Sequence, residues 1–167
     1  MLYHMGHAVT ENRNGLIMAV AVTEASGTAE PTAAEDMLDE RRDRFGIRVK
    51  TLGADKNYDR GPHLLELERR GVTSHVAMVT GTRHPATVKQ HSWPAHRARL
   101  RMKQRLPEAV YALSQRCRKK VEECFGWLKT VAGLVRTRLV GRRKIRQQMH
   151  LAAAAFNLVR MRKLLAT

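Results

Sequence analysis

Apolar and polar positions change period several times along this chain, and each change marks an element. Leu16 to Val22 is a continuous apolar run rich in Val, with the length of a buried strand. It follows Asn12-Arg13-Asn14-Gly15, whose Asn-Gly step signals a tight turn. A short extended piece around His7 to Thr10 is therefore expected to pair with it as a hairpin. Pro31 fits the first turn of a helix. That helix sends Ala33, Met37, Leu38 and Phe45 toward a core and its Asp and Glu outward, and Gly46 stops it. Ile47 to Leu52 alternates apolar and basic residues as a half-buried strand does, ending in Gly53-Ala54-Asp55-Lys56. A short helix from Pro62 to Arg70 carries Leu64, Leu65 and Leu67. Gly71 ends it, and Ser74 to Val79 reads as a further strand. The order ββαβαβ predicts an α/β fold.

A helical period returns from Glu108 to Thr130 and again from Arg142 to Leu165. In the latter, Ile145, Met149, Ala152, Phe156 and Val159 fall on one stripe and are expected to face a core. Between the two halves, residues 82–110 break the pattern. They hold Pro85, Pro94 and many arginines, with His84, His91 and His96 close to Trp93. The plain reading is a solvated basic loop, and the sharper one a DNA-contacting insertion. Zinc binding by the three histidines is not expected, because no cysteine accompanies them at structural spacing.

Charge divides the chain. Residues 1–68 hold 8 basic and 12 acidic side chains, whereas 69–167 hold 23 basic and 3 acidic ones, out of a formal net charge of +16. A polyanion met through the C-terminal part is the expected partner. The longest uncharged stretch near the C-terminus, Gln147 to Val159, is too short for a membrane span. No signal peptide is expected from Met1 to Thr10. If Cys117 and Cys124 share a helix they lie about 10 Å apart along it, beyond disulfide reach, so the chain reads as reduced and cytoplasmic. With 167 residues, one domain is the natural expectation.

The stretch Gln115 to Lys129 is the richest in candidate chemistry. If it is one helix, Gln115, Arg118, Glu122 and Lys129 share a strip within about 60°, beside a core-facing Val121, Phe125 and Leu128. Glu122 is then held at the edge of the core between two cations, and Glu123 meets solvent. A carboxylate so placed suits a metal ligand or general base, while the plainer reading is an i,i+4 salt bridge with Arg118. Asp55 follows a predicted strand, where functional groups of open α/β sheets gather. Two such carboxylates could hold Mg²⁺ through oxygen, and the plainer reading of Asp55 is a turn former. Asp59, farther from the strand, is the weaker candidate.

The blocks Gly6-His7-Ala8, Glu11 to Leu16, Gly27-Thr28-Ala29-Glu30, Gly53 to Asp59, Arg118 to Lys129 and Ala153 to Met161 together resemble bacterial insertion-sequence transposases of the DDE type. The resemblance covers most of residues 4–81 and 111–165. It implies a ribonuclease-H-like catalytic domain, a mixed sheet with flanking helices, in which Asp, Asp and Glu bind two divalent ions, here Mg²⁺. By this resemblance Asp55 is the second acid and Glu122 the third. Arg118, Glu122 and Lys129 meet the spacing of a Tyr-x2-Arg-x3-Glu-x6-Lys signature, with Gln115 in place of the tyrosine. Arg118 and Lys129, with Lys119 and Lys120, would then hold DNA phosphates near the metal site.

Two departures qualify what the resemblance implies. The family's first Asp lies on a central strand upstream of the Gly-His block, and no acid before Asp55 replaces it: Asp36, Asp39 and Asp43 read as solvated helix charges and Glu11 as a turn residue. The expectation is an incomplete domain over residues 1–167, a truncated copy with little or no catalysis, carrying a divergent basic insertion at 82–110. That insertion has the composition a local frameshift would leave. Insertion-sequence ends are the implied DNA partner, with association with further copies or intact transposase. A rival reading is a non-catalytic basic DNA-binding protein that modulates an intact transposase. An RNA-binding protein fits the charge but not Asp55 and Glu122, and aromatic residues are only 5 %, too few for stacking-based recognition.

Overall fold

The computed structural model describes residues 4–26, 29–79 and 92–166. The chain forms two compact units, one from residues 1–41 with 119–167 and one from residues 42–118. Among the described residues the element order begins with the expected ββαβαβ. The strands, however, form two separate two-stranded ladders, one antiparallel and one parallel, where a single mixed sheet was expected.

The first unit is built on a hairpin of β1 (His4–Thr10) and β2 (Ile17–Glu24). The turn that closes it needs Gly15 at φ +74°, as an Asn-Gly step allows. Glu11 fastens the turn from inside, its carboxylate accepting from the amides of Arg13 (2.7 Å), Asn14 (2.6 Å) and Leu16 (3.1 Å). Burial pushes the Glu11 carboxyl up, but these amides outweigh it and leave its pKa below the ordinary value. Register slips between Val9 and Thr10, which pair with Ala19 and Ile17. Met18 is thus the extra residue of a bulge, and its carbonyl accepts from Arg41 at 3.0 Å. Helix α1 (Ala29–Phe45) follows the hairpin and buries Ala33, Ala34, Met37 and Leu38. Phe45, expected in the core, is 53 % exposed with the Arg44 guanidinium 5.4 Å from its ring: it lies in the last turn, past the buried stretch.

Helices α5 (Lys119–Thr130) and α6 (Arg142–Leu165) complete this unit. Ile17, Val20 and Val22 of β2 meet Cys124 and Leu128 of α5 and Met149, Ala152, Ala153 and Phe156 of α6 in one core. The α6 stripe is the expected one up to Phe156, while Val159 is 42 % exposed. Asn157 brackets the start of β2. Its Oδ1 accepts from Ile17 N and its Nδ2 donates to Ile17 O, both at 2.8 Å, so one side chain supplies what a neighbouring strand would.

The second unit holds β3 (Thr51–Ala54), α2 (Gly61–Arg69) and β4 (Thr73–Val76), with β3 and β4 parallel. The strand expected from Ile47 starts later because, among the described residues, its ladder partner begins at Thr73; Ile47 itself is exposed. Residues Trp93–Gln104, expected within a basic loop, form helix α3, followed by α4 (Ala109–Cys117). Ala98 and Met102 of α3 are buried with Ala54, Leu64 and Val76. The arginines that give this stretch the composition of a free basic surface are partly paired with acids from the other half of the sequence. Arg99 grips Asp59 through two 2.7 Å bonds, and Arg101 grips Glu68. His84 and His91 lie outside the described residues. His96, on α3, sets its ring edge-on to Trp93.

Helices α2 and α3 approach closely at Gly61. A Cβ there would stand 2.8 Å from the carbonyl oxygen of Ala95 and 3.0 Å from its carbon. That obstacle is backbone, so α3 itself would have to move. Gly61→Ala is expected to cost about 1–3 kcal/mol, read as a lower urea midpoint; an unchanged midpoint would show that the helices have room.

Candidate active site

Asp55 stands where β3 runs out. Ala54 is the last strand residue and is buried. The chain then enters a one-turn 3₁₀ helix (Lys56–Tyr58) whose N-cap is Asp55, with Oδ1 accepting from Asn57 N at 2.8 Å. The structure thus places both readings of this residue on one side chain. It is a capping aspartate, and it is a half-exposed carboxylate at a strand's C-terminal end. Among the described residues, Oδ1 carries its one hydrogen bond, which leaves Oδ2 for a ligand. Asp59, four residues on, differs sharply: its side chain is 1 % exposed, ion-paired with Arg99 and bonded to Val79 N at 2.9 Å. It is committed to the fold.

Glu122 lies in the first turn of α5 and is exposed. This corrects the expected position at the core's edge. The helix expected from Glu108 to Thr130 is broken at Arg118, and α4 and α5 belong to different units. Apolar residues recur at helical spacing on both sides of the break, so it leaves no mark in the periodicity, although Val110 and Leu113 of α4 are exposed and only Tyr111 packs against the second unit's core. Restarting at Lys119, α5 buries Cys124 and Leu128 completely and leaves Val121 and Phe125 half-buried. That rotation carries Glu122 outward. An acid in a helix's first turn is favoured by the helix dipole. Glu123 meets solvent as expected, its side chain 61 % exposed, and it also pairs with Arg160 at 3.1 Å.

The other expected site residues separate in the same way. Gln115 donates to the carbonyl of His75 in the second unit. Arg118 ends α4 there as its C-cap residue. Lys119 and Lys129 are exposed on α5. Lys120 turns its ammonium onto the hairpin turn, donating to the carbonyls of Asn12 (2.6 Å) and Arg13. Arg160 joins it there through Asn14 O at 2.8 Å. This clamp has no signal in the sequence: nothing in a single chain of letters connects Arg160 to a turn 146 positions away.

Asp55 and Glu122 are hard oxygen donors of the kind divalent cations select, so the chemistry of the donors fits such an ion. Among the described residues no three His, Cys, Asp or Glu side chains gather at one point. Burial pushes the Cys124 thiol up to about 12, which keeps it protonated and inert. His7 is also buried, its Nε2 2.8 Å from Thr23 Oγ1, and burial pulls its pKa below the ordinary value. Among the described residues no helix is long and apolar enough to cross a membrane.

Compared with known proteins, the chain matches the model of the family described as transposase DDE domain, over residues 3–158. No curated protein and no solved structure matches it.

Proposed function

The chain belongs to the DDE transposase domain family, whose work is DNA transposition, and from that premise we propose which residues do what. Asp55 and Glu122 are the metal-binding carboxylates that this chain contributes to DNA cleavage and strand transfer. The ion they favour is Mg²⁺, whose chemistry when bound is to poise the attacking and leaving oxygens of phosphodiester exchange. Arg118, at the end of α4, and Lys119 and Lys129, on α5, neutralise DNA phosphates, while Lys120 of α5 holds the hairpin turn. The observation that carries this reading is Asp55 itself, a half-exposed carboxylate at the end of a strand with one oxygen uncommitted.

The third carboxylate of the family's set is, in this proposal, not supplied by this chain. Before Asp55, Glu11 is occupied by three backbone amides, and Asp36, Asp39 and Asp43 ride on α1. The chain alone then binds DNA without efficient turnover, and it works beside further copies or an intact transposase. Titrating a fluorescent duplex with the chain tests the DNA half of the proposal. Binding is expected, weakening steeply from 50 to 200 mM salt, by about 10³-fold for six phosphate contacts. Glu122→Ala should leave binding unchanged or slightly stronger. Absent or salt-insensitive binding would overturn it.

A further inference from the structure

Between the end of α5 and the first turns of α6 the chain carries Arg136, Arg138, Arg142, Arg143, Lys144 and Arg146, and no Asp or Glu follows Glu123. All six cations are exposed. Among the described residues none of these side chains is in an ion pair or hydrogen bond, in contrast to Arg99, Arg101 and Arg160. The backbone that presents them is anchored. Thr137 Oγ1 bonds Gln148 Oε1 at 2.6 Å and accepts from Leu139 N, while Gly141 O accepts from the amides of Lys144 and Ile145.

A solvated charge run explains neither of two further features. Arg142, Arg143 and Lys144 fill the opening positions of α6, behind Gly141, which offers no side-chain cap, and the first turn holds no acid. Positive charge there opposes the helix dipole and the unsatisfied amides of that turn. Helix α5 also opens on two cations, Lys119 and Lys120, but its first turn carries Glu122 against them. Between Arg138 and Arg142, Leu139 and Val140 are 41 % and 83 % exposed, apolar side chains suited to lie against sugars rather than in water. A bound polyanion relieves the repulsion and covers the tip.

We propose that Arg136 to Arg146 forms a docking surface for the sugar-phosphate backbone of duplex DNA, additional to the cations of α5. The proposal rests on the DNA-binding reading above and deepens it. The cluster of uncompensated cations carries it; the helix end adds to the field.

The test uses the full chain, a 20-base-pair duplex of arbitrary sequence and a salt series followed by fluorescence anisotropy. A variant with Arg142→Gln, Arg143→Gln and Lys144→Gln is expected to lower the slope of log affinity against log salt by about 2–3, with a larger loss of affinity at 50 than at 200 mM. Its thermal midpoint should be unchanged or higher, since repulsion at the helix start is removed. A second variant, Arg136→Gln with Arg138→Gln, leaves α6 untouched and should lower the slope by about 2. A wild-type chain that binds duplex DNA while both variants keep its slope and affinity would overturn this proposal alone. A wild-type chain that binds no DNA would overturn the reading beneath it. Tighter wild-type binding to single-stranded RNA of the same length would assign the surface to RNA and overturn the proposal too.

Discussion

Asn157→Ala is expected to destabilise the first unit by about 2–4 kcal/mol, because it leaves two backbone groups of Ile17 without their partner. Ile17 is 6 % exposed and opens β2 inside the core, so water is poorly placed to take over either bond. Asn157→Asp is the sharper variant. It keeps the acceptor for Ile17 N but turns an oxygen toward Ile17 O, where Nδ2 now donates. It should therefore be nearly as damaging as alanine despite its identical shape. Urea unfolding with an unchanged slope would report the loss as stability. An Asn157→Asp variant as stable as wild type would show that the bracket is dispensable.

The second large effect concerns catalysis. Strand cleavage by the chain alone, with Mg²⁺ and duplex DNA, is expected to stay at background, and Asp55→Asn or Glu122→Gln should not lower it further. Two-ion phosphodiester chemistry needs both ions held in place, and two carboxylates are too few to hold them. Robust cleavage that either substitution abolishes would mean that another acid of this chain completes the set, and the account of its division of labour would fall.

What could be read from the sequence follows the range of the interactions involved. The hairpin is local: Asn14-Gly15 sets the turn and the run from Ile17 sets the strand. The stripe of α6 is equally local, and Met149, Ala152 and Phe156 are buried where periodicity puts them. Misreadings arise where a distant partner decides. Strand β3 begins where β4 can pair with it, not where alternation starts. Helix α3 is held by Asp59 and Glu68 from far upstream, so its composition alone reads as a free basic loop. The break at Arg118 is silent in the sequence because the apolar spacing runs on through it, although Val110 and Leu113 of α4 are exposed while Cys124 and Leu128 of α5 are buried in the other unit.

The candidate site shows the same division. That Asp55 ends a strand was legible, because strand and turn chemistry are local. The setting of Glu122 was not, since it depends on where α5 restarts and which face it buries. Lys120 and Asp59 show what residue type alone does not reveal: one cation and one acid of the motif blocks also hold the fold.

The central claim is that Asp55 and Glu122 bind a divalent cation, and iron-directed cleavage tests it without requiring turnover. Fe²⁺ taking the place of Mg²⁺ generates hydroxyl radicals with ascorbate and peroxide, which cut the polypeptide beside the bound ion. The account predicts cuts near residue 55 and near residue 122, both suppressed by excess Mg²⁺. Replacing either carboxylate, as Asp55→Asn or Glu122→Gln, should weaken both sets of cuts. Cuts at neither position, or cuts that persist after the carboxylates are replaced by amides, would contradict it.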